Sequence, residues 1–267
     1  MPEFLPAFAL QLARLTVWLV LLCALFLPLE RVLALRQASV PRVQDVVYYF
    51  LSSLLPMLLL AAPLALLGQL ARHWLPPAIP AALAALPLPV RLLLALLVGD
   101  LGAYWAHRLA HAWPPLWRFH AVHHSPAHLY FLCNTRVHPV DMLFTRLCSL
   151  LPLYVLGLAS PSAAGSTVPL TVILLATLWG FFVHANLRLR FGPLEWLLST
   201  PAFHHWHHTR HDHANHNFAA MLPWLDRLFG TYYLPRHWPA EYGCDTPVAP
   251  GLAGQLLDPL KFDHTKN

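Results

Sequence analysis

Long apolar runs divide the chain into segments of roughly membrane-spanning length. A helix needs about 20 apolar residues to cross about 30 Å of hydrocarbon. The last two candidate runs are short and are joined by the stretch SPSAAGSTVP, so they form either a tight transmembrane hairpin or a pair that enters the bilayer without fully crossing it. The five candidate runs are 5–28, 47–70, 88–106, 143–159 and 168–185.

The segments between and after these runs predict broken or short helices. The stretch LPPAIPAALAALPLP separates the second and third runs, and its prolines remove helix donors and clash with the preceding turn. We therefore expect a broken connection at the membrane interface. After residue 186 the chain becomes more polar and predicts short helices that rest on the membrane. The first run lacks a basic leader and a cleavage site, so we expect a retained helix.

The distribution of arginines predicts the orientation of the spans. Arg31, Arg36 and Arg42 lie between the first two runs, whereas Arg72 is nearly alone before the third. Basic loops stay in the cytoplasm, and counting onward places every dense group of histidines on that side. We expect an integral protein of a bacterial inner membrane, with its histidines at the cytoplasmic face.

Three regions follow from this organisation. Residues 1–96 hold the N-terminal transmembrane helices and the proline-rich connection, residues 97–235 form a catalytic region that includes the membrane hairpin 143–185, and residues 236–267 form a C-terminal cytoplasmic tail. The predicted fold class is an all-α membrane protein. It has four to five transmembrane or membrane-embedded helices and a cytoplasmic helical cap.

Composition supports a membrane protein and argues against a nucleic-acid-binding protein and against a protein held by disulfides or thiolate-bound metal. Hydrophobic residues make up 57% of the 267 residues and charged residues only 11%, against about a quarter charged in soluble domains. The net charge of +5 comes mainly from arginines in loops, which fits an anionic bilayer surface better than a nucleic acid. Four scattered cysteines without CxxC spacing indicate neither a disulfide framework nor a thiolate metal site.

Histidines supply the candidate chemistry. They cluster in HRLAH (107–111), HAVHH (120–124) and HHWHH (204–208), and 15 of the 18 lie between positions 107 and 216. Residues three or four apart share a helix face, so each window is half of a metal site. Eight or nine imidazoles exceed what one ion can bind, and two metal ions are implied. His184 stands alone in FFVHANL, His205 competes with His204 as a ligand, and His138 in RVHPVD is a reserve candidate.

The sequence resembles the fatty acid hydroxylase and sterol desaturase superfamily of integral-membrane di-iron oxygenases. The motifs that carry the resemblance are DLGAYWAHRLAH, RFHAVHHSP, RVHP, FFVHANL, STPAFHHWHH and NFAAMLPWLDRLFGTYY, over roughly 97–235. Two positions depart from the family pattern: Arg188 stands where some relatives have a second histidine, and Ala219 where glycine is usual. The resemblance implies that the iron ligands are His107, His111, His120, His123, His124, His184, His204, His207 and His208.

The same resemblance implies the reaction. Members use two ferrous ions, O2 and two electrons to oxidise a C–H bond of a lipid, and zinc could replace iron in a purified protein. Neutral imidazoles leave the metal charge uncompensated, which favours an electrophilic centre. With no carrier motif in this chain, we expect a separate donor, a ferredoxin or a cytochrome b5-like protein with its reductase. Hydroxylation and desaturation, and sterol-like, fatty acyl or ether lipid substrates, stay open.

Three polar residues near the boxes are candidates for supporting the catalytic site. Asp100 lies seven positions before His107, on roughly the same helix face, and intramembrane carboxylates are usually functional. We expect it to orient an imidazole, with helix capping or an interfacial role as the alternative. Asn186 and Asp226 are further candidates for that task. A membrane metal-ion transporter or metal-binding protein is the alternative function, although transport sites lie near the bilayer midplane.

Overall fold

The computed structural model describes residues 4–37, 42–159 and 167–261, and helices dominate all three stretches. Apart from two isolated β-bridges, these stretches contain no strand. The predicted all-α fold is confirmed. The α-helices are α1 (Phe4–Val32), α2 (Val43–Leu59), α3 (Ala61–His73), α4 (Ala78–Ala84), α5 (Leu88–Ala112), α6 (Pro114–His124), α7 (Pro139–Val155), α8 (Thr167–His184), α9 (Pro201–His207), α10 (Trp224–Leu228) and α11 (Leu252–Leu257). Short 3-10 helices lie at Phe131–Thr135, Gly192–Trp196 and Asp258–Leu260.

Three helices are long and apolar enough to cross a membrane: Leu5–Val32 within α1, α5 and α8. Helices α2 and α3 together qualify as a fourth span, bent by 46°. Helix α7 has 17 residues and is about 26 Å long, which is shorter than the hydrocarbon layer. These elements match the prediction of four to five spanning or embedded helices. The connection between α7 and α8, residues 160–166, lies outside the described residues.

Proline breaks the second predicted run into two helices. Pro63 has no N–H for the carbonyl of Leu59, and its ring clashes with that carbonyl. The chain bends at Leu60, between α2 and α3. The proline-rich connection is also broken as expected, since only the seven-residue α4 forms within it.

Helices α5 and α7 pack closely at small residues. A Cβ atom at Gly102 would lie 2.2 Å from the backbone oxygen of Cys148. The hydroxyl of Ser149 also donates to the carbonyl oxygen of Gly99 at 2.9 Å. Glycine at position 102 therefore allows this contact, which brings one face of α7 beside the end of α5.

The carboxyl ends of α1, α5 and α8 meet on one side of the bundle. The buried carboxylate of Glu30, near the end of α1, accepts the backbone N–H of Phe131 at 2.7 Å and that of Asn186 at 2.9 Å. Asn186 directly follows α8, which ends at His184. The polypeptide thus brings its histidine-bearing helix ends to the same side.

The C-terminal segment packs onto the bundle. The ring of Tyr242 is buried in a core with Leu22 and Phe26 of α1. The buried side chain of Gln255 accepts from Gln44 at 2.5 Å and from the hydroxyl of Tyr48 at 3.1 Å. The predicted tail beyond residue 236 is therefore part of the packed structure up to residue 261.

Candidate metal centre

Nine imidazoles converge from four helices. Helix α5 contributes HxxxH, α6 contributes HxxHH, the last residue of α8 is a histidine, and α9 with the residue after it contributes HxxHH. Residues at these spacings share a helix face, so each helix presents its histidines together. The nine are His107, His111, His120, His123, His124, His184, His204, His207 and His208.

The nine rings form two sets. In each set, one nitrogen of every ring lies within 4.8 Å of the corresponding nitrogens of the others, a spacing at which they could hold a metal ion. We name them by their size. The five-histidine set is His107, His111, His120, His124 and His207, and the four-histidine set is His123, His184, His204 and His208.

The ligand nitrogens of neighbouring rings are very close together. The Nε2 atoms of His107 and His120 are 3.1 Å apart, and those of His111 and His124 are also 3.1 Å apart. In the four-histidine set, the Nε2 atom of His184 lies 3.2 Å from that of His123. The Nε2 atom of His204 lies 3.0 Å from that of His184 and 3.1 Å from that of His208.

Acceptors on the other side of the rings assign their tautomers. In the five-histidine set, Nδ1 of His107 faces the carbonyl of Phe218 at 2.8 Å, and Nδ1 of His207 faces that of His216 at 2.9 Å. A carbonyl accepts only an N–H, so Nδ1 carries the proton and the Nε2 lone pair points inward.

The same assignment applies to two rings of the four-histidine set. Nδ1 of His123 faces the carbonyl of Arg136 at 3.2 Å, and Nδ1 of His184 faces that of Gly180 at 2.7 Å. Their Nε2 lone pairs therefore face each other at 3.2 Å and repel unless a cation lies between them. This arrangement fits a bound metal ion.

Burial keeps the rings neutral and available to metal. Burial, reinforced by neighbouring imidazoles, holds the pKa well below the usual histidine value for several rings outside the membrane spans. The Nε2 atom of His207 is buried without a hydrogen-bond partner. A buried nitrogen without a partner costs free energy of folding unless a ligand binds to it. The affected rings are His123, His124, His204, His207 and His208.

The carboxylate of Asp141 contacts an imidazole of the five-histidine set. Its Oδ2 atom accepts from Nδ1 of His120 at 2.9 Å, and both side chains are buried. The sequence reasoning missed this residue, although it ends the quoted motif RVHPVD. The helix start at Pro139 was the available signal, because a residue in the first turn of α7 faces the same end as the histidines.

The structure gives Asp100 and Asn186 other partners than imidazoles. The carboxylate of Asp100 accepts the backbone N–H groups of Met221 at 3.1 Å and Leu222 at 2.8 Å. Asn186 receives the N–H of Arg36 at 3.1 Å and donates to its carbonyl at 3.0 Å. Within the described residues, the carboxylate of Asp100 accepts backbone N–H groups of the 217–222 loop and contacts no imidazole. The expectation that Asp100 orients an imidazole is therefore wrong.

Asp226 supports the same loop. Its carboxylate accepts the N–H groups of Phe218 at 2.7 Å and Ala219 at 2.9 Å, and burial raises its pKa to about 6. It acts on His107 only through the carbonyl of Phe218. The loop uses Asn217 for its left-handed residue, with φ 61°, so alanine is tolerated at position 219 where the family pattern has glycine.

The two competing histidines lie outside both sets. His205 is buried beside the set, with Nδ1 at 2.7 Å from the Tyr242 hydroxyl and Nε2 at 3.1 Å from the Ala185 carbonyl. Both of its nitrogens are therefore occupied. His138 caps α7, since its Nδ1 atom accepts the N–H of Val140, and its Nε2 atom faces the carbonyl of Leu256. His204 is the residue that the structure brings to the centre.

The centre borders two hollows. A cavity of about 660 Å³ touches His107, His120 and His123 and extends along α1, α7 and α8. A second hollow, which we call the outer recess, has a volume of about 280 Å³ and is lined by His111, His124 and parts of 209–215 and 243–246. The cavity lining beyond the histidines is largely apolar, which suits a lipid chain.

Comparisons with known proteins agree with this geometry. The family model described as fatty acid hydroxylase matches residues 92–231, just over half of the chain. The ornithine lipid hydroxylase of Rhizobium tropici is 37% identical over 176 residues, which are 65% of this chain and 51% of that protein. An alkylglycerol monooxygenase of Danio rerio is 35% identical over 156 residues, or 58% of this chain and 33% of that one.

A more distant relative is the Delta(7)-sterol 5(6)-desaturase of Gibberella zeae, 29% identical over 146 residues, or 55% of this chain and 38% of that protein. The chain thus spans between about a third and a half of the length of these three relatives. No solved structure matches the chain.

Proposed function

This chain belongs to the fatty acid hydroxylase family, and on that premise we propose that it is a membrane-bound di-iron oxygenase that hydroxylates or desaturates a lipid. The substrate class we propose covers sterol-like, fatty acyl and ether lipids. The printed functions of the relatives, ornithine lipid hydroxylase, alkylglycerol monooxygenase and sterol desaturase, support a lipid substrate.

One observation carries the proposal. Nine imidazoles form two sets of metal-ligand spacing, and the apolar cavity reaches members of both. His107 and His120 belong to the five-histidine set and His123 to the four-histidine set. A lipid chain in the cavity therefore meets the centre between the two sets. We propose the nine residues of these sets as the iron ligands.

The residues of this chain have three tasks in such a reaction. The neutral imidazoles hold the metal ions. The acceptors at Nδ1 keep six of the rings in the orientation that binding requires, namely His107, His111, His120, His123, His184 and His207. Asp141 performs this task for His120 as a positioning residue. The apolar walls along α1 and α8 hold the lipid near the centre and exclude water.

When bound, two ferrous ions would supply the chemistry that couples reduction of O2, with two external electrons, to oxidation of a lipid C–H bond. We propose a separate electron donor, a ferredoxin or a cytochrome b5-like protein with its reductase. The outer recess brings His111 and His124 near the protein surface, on a side of the centre that the lipid cavity does not use.

We also propose a location. Three apolar helices fit an integral membrane protein, and the relative from Rhizobium tropici is bacterial. Arg31 lies in the last turn of α1, and Arg36 and Arg42 follow that helix, on the side where the histidines lie. Basic loops stay in the cytoplasm. We infer a bacterial inner membrane with the centre at its cytoplasmic face.

A metal-ion transporter fits these observations less well. Transport sites lie near the bilayer midplane, with irregular backbone around them. Here the histidines of α5 and α8 occupy the last turns of regular helices. The nine rings also gather at one end of the bundle instead of following a path across it.

Metal analysis together with lipid analysis tests the proposal. Protein purified under reducing, low-oxygen conditions should hold two irons per chain, and cells that express the gene should contain an oxygenated or unsaturated lipid that cells without it lack. A change in cellular metal level without a lipid change would instead favour transport. Protein with fewer than two metal ions per chain would contradict the ligand assignment.

A further inference from the structure

Among the residues that the structure describes, the lipid cavity contains one partly buried charged side chain without a partner. Three charged side chains other than histidine line it: Arg14, Asp141 and Arg146. Asp141 is bound to His120, and Arg14 on α1 is exposed. Arg146 is only partly exposed, and within the described residues no hydrogen bond, ion pair or cation–π contact involves it.

Arg146 lines the same cavity as His107, His120 and His123 of the metal centre. Residues 141, 142, 145, 146, 149 and 150 of α7 line the cavity together, as the helical repeat requires for one face. Arg146 follows Asp141 by five residues, about 7.5 Å along the helix axis. The contact of Gly102 with Cys148 sets this part of α7 against α5, one to two turns before His107.

An arginine at such a position needs an acceptor. Guanidinium groups stay charged in proteins, and a charge within a membrane bundle is costly unless it meets a counter-charge or water. The nearby carboxylate of Asp141 is already bound to an imidazole. The five donors of a guanidinium match a carboxylate or a phosphate in a forked arrangement.

We propose that Arg146 binds an anionic group, a carboxylate or a phosphate, of the lipid that is oxidised at the metal centre. This inference rests on the proposed function and narrows its substrate class to acidic or zwitterionic lipids. Arg146 and the histidines line one cavity, with Arg146 about 7.5 Å along α7 from Asp141, and the proposal therefore has a further consequence. The oxidised carbon lies near the polar end of the lipid, while the acyl chains extend along α1 and α8.

The test uses the full chain in nanodiscs, loaded with iron and supplied with a chemical or enzymatic reductant. Four probes separate the sources of the charge: an N-acylornithine with a free carboxylate, its methyl ester, a phosphatidic acid and a neutral alkylglycerol. The wild-type protein should oxidise the carboxylate or the phosphate probe with a KM about 10-fold or more below that of the methyl ester and the alkylglycerol.

Variants of Arg146 complete the test. Arg146→Gln should raise the KM for the preferred anionic probe about 10-fold or more and leave the KM for the neutral probes unchanged. Arg146→Lys keeps the charge without the fork and should restore part of the loss. Arg72→Gln is the matched control, because Arg72 is a partly buried arginine of α3 that bonds only to its own helix and lies outside the cavity.

The outcomes distinguish the two proposals. Equal KM values for charged and neutral probes in the wild type, or a KM in Arg146→Gln that rises equally for all four probes, would overturn the role of Arg146 and leave the oxygenase proposal intact. Iron-loaded wild type that oxidises none of the four probes, nor the lipids of its own membrane, would overturn both.

Discussion

The two histidine sets differ in how they are enclosed. All four members of the four-histidine set are buried, whereas His107 and His111 of the five-histidine set are partly exposed. The five-histidine set borders both the lipid cavity and the outer recess, but the four-histidine set reaches the cavity only through His123. The four-histidine set is therefore the more buried of the two neighbouring sets, and the five-histidine set is the more accessible one.

The difference extends to the groups behind the rings. The five-histidine set uses the Asp141 carboxylate and the Asn215 amide as acceptors, together with backbone carbonyls. In the four-histidine set the acceptors that the structure gives are the carbonyls of Arg136 and Gly180. Side-chain acceptors are open to mutation, and backbone carbonyls are not. Metal binding by the five-histidine set can therefore be weakened by mutating an acceptor, whereas in the four-histidine set a mutation must remove a ligand.

Loss of a buried ligand should have the largest effect. His208→Ala removes one of four buried ligands, so we expect activity to be abolished and iron to fall from two to about one per chain, with the five-histidine set still occupied. Iron analysis and lipid turnover measure this. His211→Ala, at an exposed position three residues later, is the control. Full activity in His208→Ala would disprove the ligand assignment.

Removing a charged acceptor should weaken the centre without abolishing it. Asp141→Asn keeps the shape but loses the charge that holds His120, and changes of this kind cost about 10–100-fold in metal affinity or activity. Chelator competition, combined with turnover at saturating iron, measures both effects. A variant indistinguishable from wild type would show that the His120–Asp141 contact has no role in metal binding.

The amide acceptor should matter less. Asn215 is exposed and bonds to His111 at 3.2 Å, where water can replace it. We expect Asn215→Ala to weaken metal binding at the five-histidine set by about 10-fold at most, with no change at the four-histidine set. Removal of iron by a chelator should occur in two phases, one for each set. In Asn215→Ala only the faster phase should be accelerated. Acceleration of both phases would contradict the separation of the sets.

The smallest effect is expected at His237. Its backbone carbonyl accepts the indole N–H of Trp206 at 3.0 Å, and alanine keeps that carbonyl. Alanine loses only the edge contact of the imidazole with the Trp206 ring, whose centroid is 5.2 Å away. His237→Ala should therefore retain wild-type iron content and turnover, with a change in unfolding temperature of a few degrees at most. A loss of iron would show that the assignment omits a ligand.

Helix periodicity explains why much of the centre was predictable. Spacings of three and four residues orient His120, His123 and His124 together whatever the rest of the chain does. The choice of His204 rather than His205 as a ligand required the tertiary structure, because the two residues are adjacent in the sequence. Tyr242 and Ala185 bind both ring nitrogens of His205, which leaves His204 for the metal centre.

Polar residues with long-range partners were harder to interpret. Asp100 shares a helix face with His107, yet its partners lie in a loop 121 and 122 residues away. Asn186 is two residues after His184 in the sequence but holds the segment after α1. The partners of a polar side chain are determined only when the chain has folded, because the tertiary structure decides which donors and acceptors lie beside it.

The sequence by itself determined the membrane class, the histidine-bearing helix faces and the broken proline-rich connection, since each follows from local hydropathy, helical repeat or proline geometry. Only the tertiary structure decided how nine imidazoles divide into two sets, that Asp141 holds His120, and that Arg146 faces the cavity with no partner among the described residues. These depend on contacts between distant helices, which a one-dimensional pattern does not contain.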